Sequence, residues 1–97
     1  MIKYKLTKLA ENDLWRIWQY TLHEWSVNQA EKYVEGLISS FMAIGDGKIK
    51  GNSIDLIRKG YKKTIYGKHN IFFRILATGV VEITRILHVS MDIKKNL

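Results

Sequence analysis

The chain has 97 residues, no cysteine, and a formal net charge of +7. That length fits one domain, spanning 1–97, and the missing cysteines exclude disulfides, thiolate metal sites and cysteine nucleophiles. A domain this basic is expected either to meet an acidic partner (nucleic acid, a nucleoprotein or an acidic protein) or simply to use its charge for solubility.

Residues 2–6 alternate weakly and read as a short opening strand. Met1 to Leu6 holds no long apolar run, so no signal peptide is expected. No segment approaches the roughly 20 apolar residues that span a bilayer. A cytoplasmic location follows as the expectation. Thr7 is placed to cap a helix running to about His23, with Ala10, Leu14, Ile17 and Thr21 on one stripe. Trp15, Trp18, Leu22 and Trp25 form a second stripe beside it. Together the two cover nearly half of the helical wheel, more than one small sheet needs. The second stripe is a candidate surface for an apolar partner segment, or ordinary core.

Ser26 opens a second helix. Ser26-Val27-Asn28-Gln29 matches a capping box, and Ala30, Tyr33, Val34, Leu37, Phe41 and Ile44 recur at helical spacing up to Gly45-Asp46-Gly47. So short a connection between the helices requires an antiparallel hairpin. Residues 45–55 read as a Gly- and Lys-rich loop. Three strands follow, at 56–66 with an irregularity at Gly60, at 69–77 and at 80–88, with turn signals at Gly67-Lys68 and Thr78-Gly79. The expected class is α+β, in the order β-α-α-β-β-β. The helical hairpin packs on one face of a small, mainly antiparallel sheet. The opening strand joins at an edge or beside the last strand.

If Thr78-Gly79 is a two-residue loop, Ala77 faces Val80. His69 then falls opposite His88, Phe72 opposite Arg85, and Arg74 opposite Ile83. Arg74 and Arg85 become diagonal neighbours on one face, and the two histidines share the other. The histidines suit general acid–base work, or structural hydrogen bonds at strand ends. The arginines suit a phosphate or acidic partner, or ion pairs with Glu82 or Asp92. Two histidines without a clear third ligand do not make a metal site. No cofactor is expected. Lys48, Lys50, Arg58, Lys59, Lys62, Lys63 and Lys68, interleaved with Tyr61 and Tyr66, form either a track for a nucleic acid backbone or a solvated face.

Several strings carry a family resemblance along nearly the whole chain. They are Leu6-Thr7-Lys8-Leu9-Ala10-Glu11-Asn12-Asp13-Leu14 with Ile17-Trp18-Gln19-Tyr20, and Trp25 with Ala30 and Tyr33. Further on stand Ile57-Arg58-Lys59-Gly60-Tyr61-Lys62-Lys63, Gly67-Lys68-His69-Asn70-Ile71-Phe72-Phe73-Arg74 and Arg85-Ile86-Leu87-His88-Val89-Ser90-Met91-Asp92. The last two are the more specific. Together they resemble ParE-type toxins of the RelE/ParE toxin–antitoxin superfamily. The resemblance implies a small cytoplasmic toxin that inhibits DNA gyrase, performs no chemistry, and is neutralised by a cognate antitoxin. The expected antitoxin contact is an acidic, amphipathic segment. The expected partner-binding set is Trp15, Trp18, Leu22, Trp25, Arg58, Lys62, Lys63, Arg74 and Arg85.

The related RelE branch cuts mRNA on the ribosome. In that alternative, His69, Arg74, Arg85 and His88 form the catalytic set. RelE members usually carry Arg directly after the position matching His69, where this chain has Asn70, and the nuclease members tend to end in basic and tyrosine residues. This chain ends Met91-Asp92-Ile93-Lys94-Lys95-Asn96-Leu97. Both departures speak against ribonuclease activity. Smaller departures from the ParE pattern are Ser26, where Gly is common, and the absence of Pro near Gly45. A third class is a non-toxic basic binding module.

Overall fold

A computed structural model describes residues 3–97. The elements are β1 (Tyr4–Leu6), α1 (Lys8–Glu24), α2 (Val27–Gly45), β2 (Asn52–Ser53), β3 (Lys62–Tyr66), β4 (His69–Ile75), β5 (Val81–His88) and α3 (Ile93–Asn96). The sheet order is β1-β5-β4-β3-β2, with β1 parallel to β5 and the other pairs antiparallel. The opening strand therefore lies both at an edge and beside the last strand. Position 2 of the expected strand falls outside the described residues.

Both helix starts are fixed by the caps the sequence announces. The Thr7 side chain accepts from Ala10 N at 3.1 Å, and Ser26 Oγ accepts from Gln29 N at 3.2 Å. The apolar stripes of the hairpin close over one sheet face. Ala10, Ile17, Leu37, Phe41 and Ile44 meet Ile71, Phe73, Val81, Ile83 and Ile86 in the main core. The opposite face carries a second, smaller core of Ile54, Phe72 and Leu87, covered by Tyr61, Ile93 and Leu97.

Three local expectations need correction, and one short helix was not expected. The strand placed at 56–66 begins only at Lys62, because residues 54–61 close on themselves: Ile57 N and Arg58 N both donate to Ile54 O. The loop at 45–55 contains β2, whose two residues pair with Lys62 and Lys63. The C-terminal residues form α3, capped by Asp92, which accepts from Lys95 N at 3.3 Å.

The third correction concerns the β4–β5 turn. It is a three-residue loop at 77–79 rather than a two-residue one, since Leu76 N donates to Val80 O at 2.9 Å. Gly79 takes φ +88, the left-handed position such a loop needs. Arg74 consequently pairs with Glu82, not Ile83. A bulge at Thr84 then adds one residue to β5, and Thr84 Oγ1 donates to Phe72 O at 3.1 Å. The two departures cancel, so Phe72 faces Arg85 and His69 faces His88 as expected.

Candidate functional site

Three regions bring the candidate residues together or separate them. The first is the histidine pair. His69 opens β4 and His88 closes β5, and their rings meet edge to face with centroids 5.5 Å apart at 86°. Tyr33 on α2 joins them. Its hydroxyl lies 2.6 Å from His69 Nδ1 and accepts from Lys68 N at 3.0 Å. Burial, and next the neighbouring His88, push the His69 imidazole down to about 4, so it is neutral at pH 7. The Tyr33 hydroxyl also lies 3.2 Å from Tyr66 O, to which it can donate, so the direction of its bond to Nδ1 follows the imidazole tautomer. Burial also raises the Tyr33 phenol, which stays protonated. His88 Nδ1 accepts from Ser90 N at 3.1 Å. Neither histidine has a carboxylate among its hydrogen-bond partners.

This pair forms one wall of a cleft of about 630 Å³. Tyr20 and Trp25 supply aromatic surface from the end of α1, and Lys32 and Lys68 supply its charge. Among the described residues no acidic side chain lines it. The cleft suits an apolar or aromatic group carried on an acidic chain. Tyr33 is the residue that the sequence reading missed as a site member. Its place on the apolar stripe of the second helix gave it the look of plain core.

The second region is the outer sheet face, where the arginines lie. They do not form a joint anion site. Arg74 Nε donates to Glu82 Oε1 at 2.8 Å, and the guanidinium rests 5.9 Å from the Tyr61 ring. Arg85 donates to Asp13 on α1, from Nε at 2.7 Å and from Nη2 at 3.0 Å, and from Nη1 to Asn96 O at 2.8 Å. The expected Glu82 partner thus holds Arg74, while Asp13, and not Asp92, holds Arg85. Hydrogen bonding to these carboxylates raises both guanidinium pKa values, so the charges are fixed and already matched. Asp13 is only 7% exposed. It sits between Ala10 and Ile17 on a buried stripe, and an acid there was the signal available in the sequence.

The basic set does not form one track. Lys62 faces Phe73 and Lys63 faces Phe72, so the pleat sends them to opposite faces. Tyr66 packs on Tyr33 beneath the helices, whereas Tyr61 lies on the outer face under Arg58, 4.8 Å from its ring centroid. The third region is the second stripe of α1. Trp15 is 59% and Trp25 67% exposed, Leu22 is exposed, and Trp18 is half-buried. The stripe is therefore surface more than core. Among the described residues no helix is long and apolar enough to cross a membrane, and no group of three His, Cys, Asp or Glu side chains is placed to hold a metal ion.

Comparison with known proteins agrees with this architecture. The family model for the ParE toxin of type II toxin-antitoxin system, parDE, matches residues 4–93. The chain is 35% identical over 95 residues to Toxin ParE1 of Mycobacterium tuberculosis (strain ATCC 25618 / H37Rv), covering 98% of this chain and 97% of that protein. It is 36% identical over 98 residues to Toxin ParE1 of Caulobacter vibrioides (strain ATCC 19089 / CIP 103742 / CB 15), covering 100% and 99%. The solved structure described as the chromosomal ParDE TA system from P. aeruginosa shares the fold, with a TM-score of 0.77 at 20% identity over 93% of this chain and 98% of that one. A family match across nearly the whole chain, with two relatives above 30% identity aligned end to end, means that this chain belongs to the ParE toxin family of type II toxin–antitoxin systems.

Proposed function

We propose that this toxin is a single domain that acts in the cytoplasm by binding and inhibiting DNA gyrase, a type II topoisomerase, and so blocks replication without performing chemistry. The observation that carries this reading is the state of the candidate nuclease set. Cleavage at a 2′-hydroxyl needs a group that exchanges a proton near neutral pH and a free cation at the phosphate. His69 is held neutral with Nδ1 occupied by Tyr33, and Arg74 and Arg85 are each matched by a carboxylate. Asn70, at the position next to His69, is buried and carries no charge.

Neutralisation follows from the surface of α1 and the cleft beside it. The exposed Trp15, Leu22 and Trp25 stripe, with Trp18 beside it, suits the apolar face of an antitoxin segment. The cleft beside Trp25, lined by Lys32 and Lys68, suits an acidic continuation of that segment. Arg58, Lys62, Lys63, Arg74 and Arg85 belong instead to the strands of the sheet and the loop before β3.

Two assays with purified protein test the reading. Inhibition of gyrase supercoiling together with intact mRNA on programmed ribosomes is the expected result. Site-specific mRNA cuts that disappear in His88→Ala would establish the ribonuclease alternative.

A further inference from the structure

We propose that the loop from Ile54 to Tyr61 is the toxin's target-contact finger, with Leu56 entering an apolar socket rimmed by carboxylates on the target protein. This rests on the reading of the chain as a toxin that acts by binding a protein.

Leu56 is 103% exposed and Ile57 beside it 39%. One exposed leucine is ordinary on a flexible surface. This loop is pinned from within. Ile54 N donates to Tyr61 O at 2.9 Å, closing its base, and Ile57 N and Arg58 N donate to Ile54 O at 2.8 Å. Asp55 Oδ1 accepts from Gly60 N at 2.9 Å, and Tyr61 N donates to Arg58 O at 3.2 Å. The base is anchored by Ile54 and Tyr61, which pack on Phe72 and Leu87. An apolar layer thus lies directly beneath, yet the loop folds Leu56 away from it. Holding an apolar tip in a fixed shape lowers the ordering cost of inserting it into a partner.

Charge specifies the occupant. Arg58 stacks on Tyr61, Lys59 follows it, and Lys63 lies on the same sheet face. Among the described residues none of these three makes an ion pair. The loop's single acid, Asp55, is engaged with Gly60 N. An apolar tip inside a collar of unmatched cations complements an apolar socket inside a collar of carboxylates. A nucleic acid would match the cations alone and gain little from Leu56. The loop also lies on the sheet face opposite the helical hairpin, so it stands apart from the tryptophan stripe.

The experiment compares the full-length parent with Leu56→Glu and Lys59→Glu. It reads the expression level that arrests growth, the affinity for the purified antitoxin, and thermal unfolding. Leu56 touches no core residue, so the thermal midpoint of Leu56→Glu stays at the parent value. Leu56→Glu is expected to raise the arresting dose by about tenfold or more, as loss of a buried apolar anchor does. Lys59→Glu raises it to a smaller degree, and both keep parental affinity for the antitoxin. Undiminished toxicity of Leu56→Glu overturns the proposal. So does a matching loss of antitoxin affinity, which assigns the loop to the antitoxin. A loss confined to Lys59→Glu also overturns it and points to a nucleic acid. A parent that arrests growth without inhibiting supercoiling removes gyrase as the target, with Leu56→Glu still deciding the loop. A parent that never arrests growth removes both readings.

Discussion

The Asp13 carboxylate and the Arg85 guanidinium join α1 to β5 through two hydrogen bonds, 2.7 Å from Nε and 3.0 Å from Nη2. The same carboxylate accepts from Ile86 N at 3.0 Å. β1 pairs with β5 only as far as Ile83, so Asp13 supplies the acceptor for a strand edge that no neighbouring strand covers. Thr7 works beside it, donating from Oγ1 to Thr84 O at 2.9 Å. Helix and sheet are therefore joined by directed polar contacts as well as by apolar packing.

Asp13→Ala leaves Arg85 and the Ile86 N–H without their acceptor. Breaking a buried pair from one side costs about 3 kcal/mol. The urea midpoint is expected to fall accordingly. Arg85→Ala should lower toxicity through the same loss of stability, with less soluble toxin per cell and not a defect in chemistry. Equal midpoints for Asp13→Ala and the parent would show that the anchor contributes nothing.

The histidine pair predicts an acid-sensitive fold. The His69 imidazole titrates at about 4 when folded, against 6.5 for an ordinary histidine. Between these values the unfolded chain binds the proton and the folded chain does not. The contribution is therefore fully present above pH 6.5 and is lost as pH falls towards 4. Denaturant midpoints measured from pH 7.5 to 4 should decline over that window. In His69→Phe the decline attributable to this group should vanish; an unchanged profile would assign it to other groups.

Trp25→Ala and Trp15→Ala test the exposed stripe. Both side chains are mostly in solvent, so the free toxin should unfold at nearly the parental midpoint. Antitoxin binding, measured by calorimetry, should weaken by about 2 kcal/mol for an aromatic anchor. Trp18→Ala should weaken it too, with some loss of stability because Trp18 is half-buried. Parental affinity in all three would place the antitoxin elsewhere.

Gly36 is the point where α2 touches β3. A β-carbon there would overlap the Tyr66 ring, which packs edge-on against Tyr33 at 5.2 Å between centroids. Gly36→Ala gains about 1 kcal/mol in helix propensity. Displacing the ring costs more, in the range of about 1–3 kcal/mol for overpacking. A net destabilisation of about 1 kcal/mol is expected, together with loosening of the Tyr33–His69 contact. Higher stability in this variant would mean that the ring moves aside freely.

Local and repeating signals were legible in the sequence. Thr7 and Ser26 announced the helix starts because a cap acts within one turn. The apolar stripes of the two helices announced which helix faces are buried, because side-chain direction follows the period of the backbone. The family strings pointed to the ParE toxins on the same ground, as residues fixed in order along the chain. Tertiary structure alone decided what depends on partners distant in sequence. The turn at 77–79 and the bulge at Thr84 cancel in register, so His69 still meets His88 while Arg74 moves from Ile83 to Glu82. Asp13 meets Arg85 across 72 residues, and Tyr33 meets His69 across 36. β2 exists because an edge of β3 was free to pair, not because two residues at 52–53 favour a strand. Such contacts form only when the packed core brings remote backbone within hydrogen-bond reach, and no local pattern of residues encodes that distance.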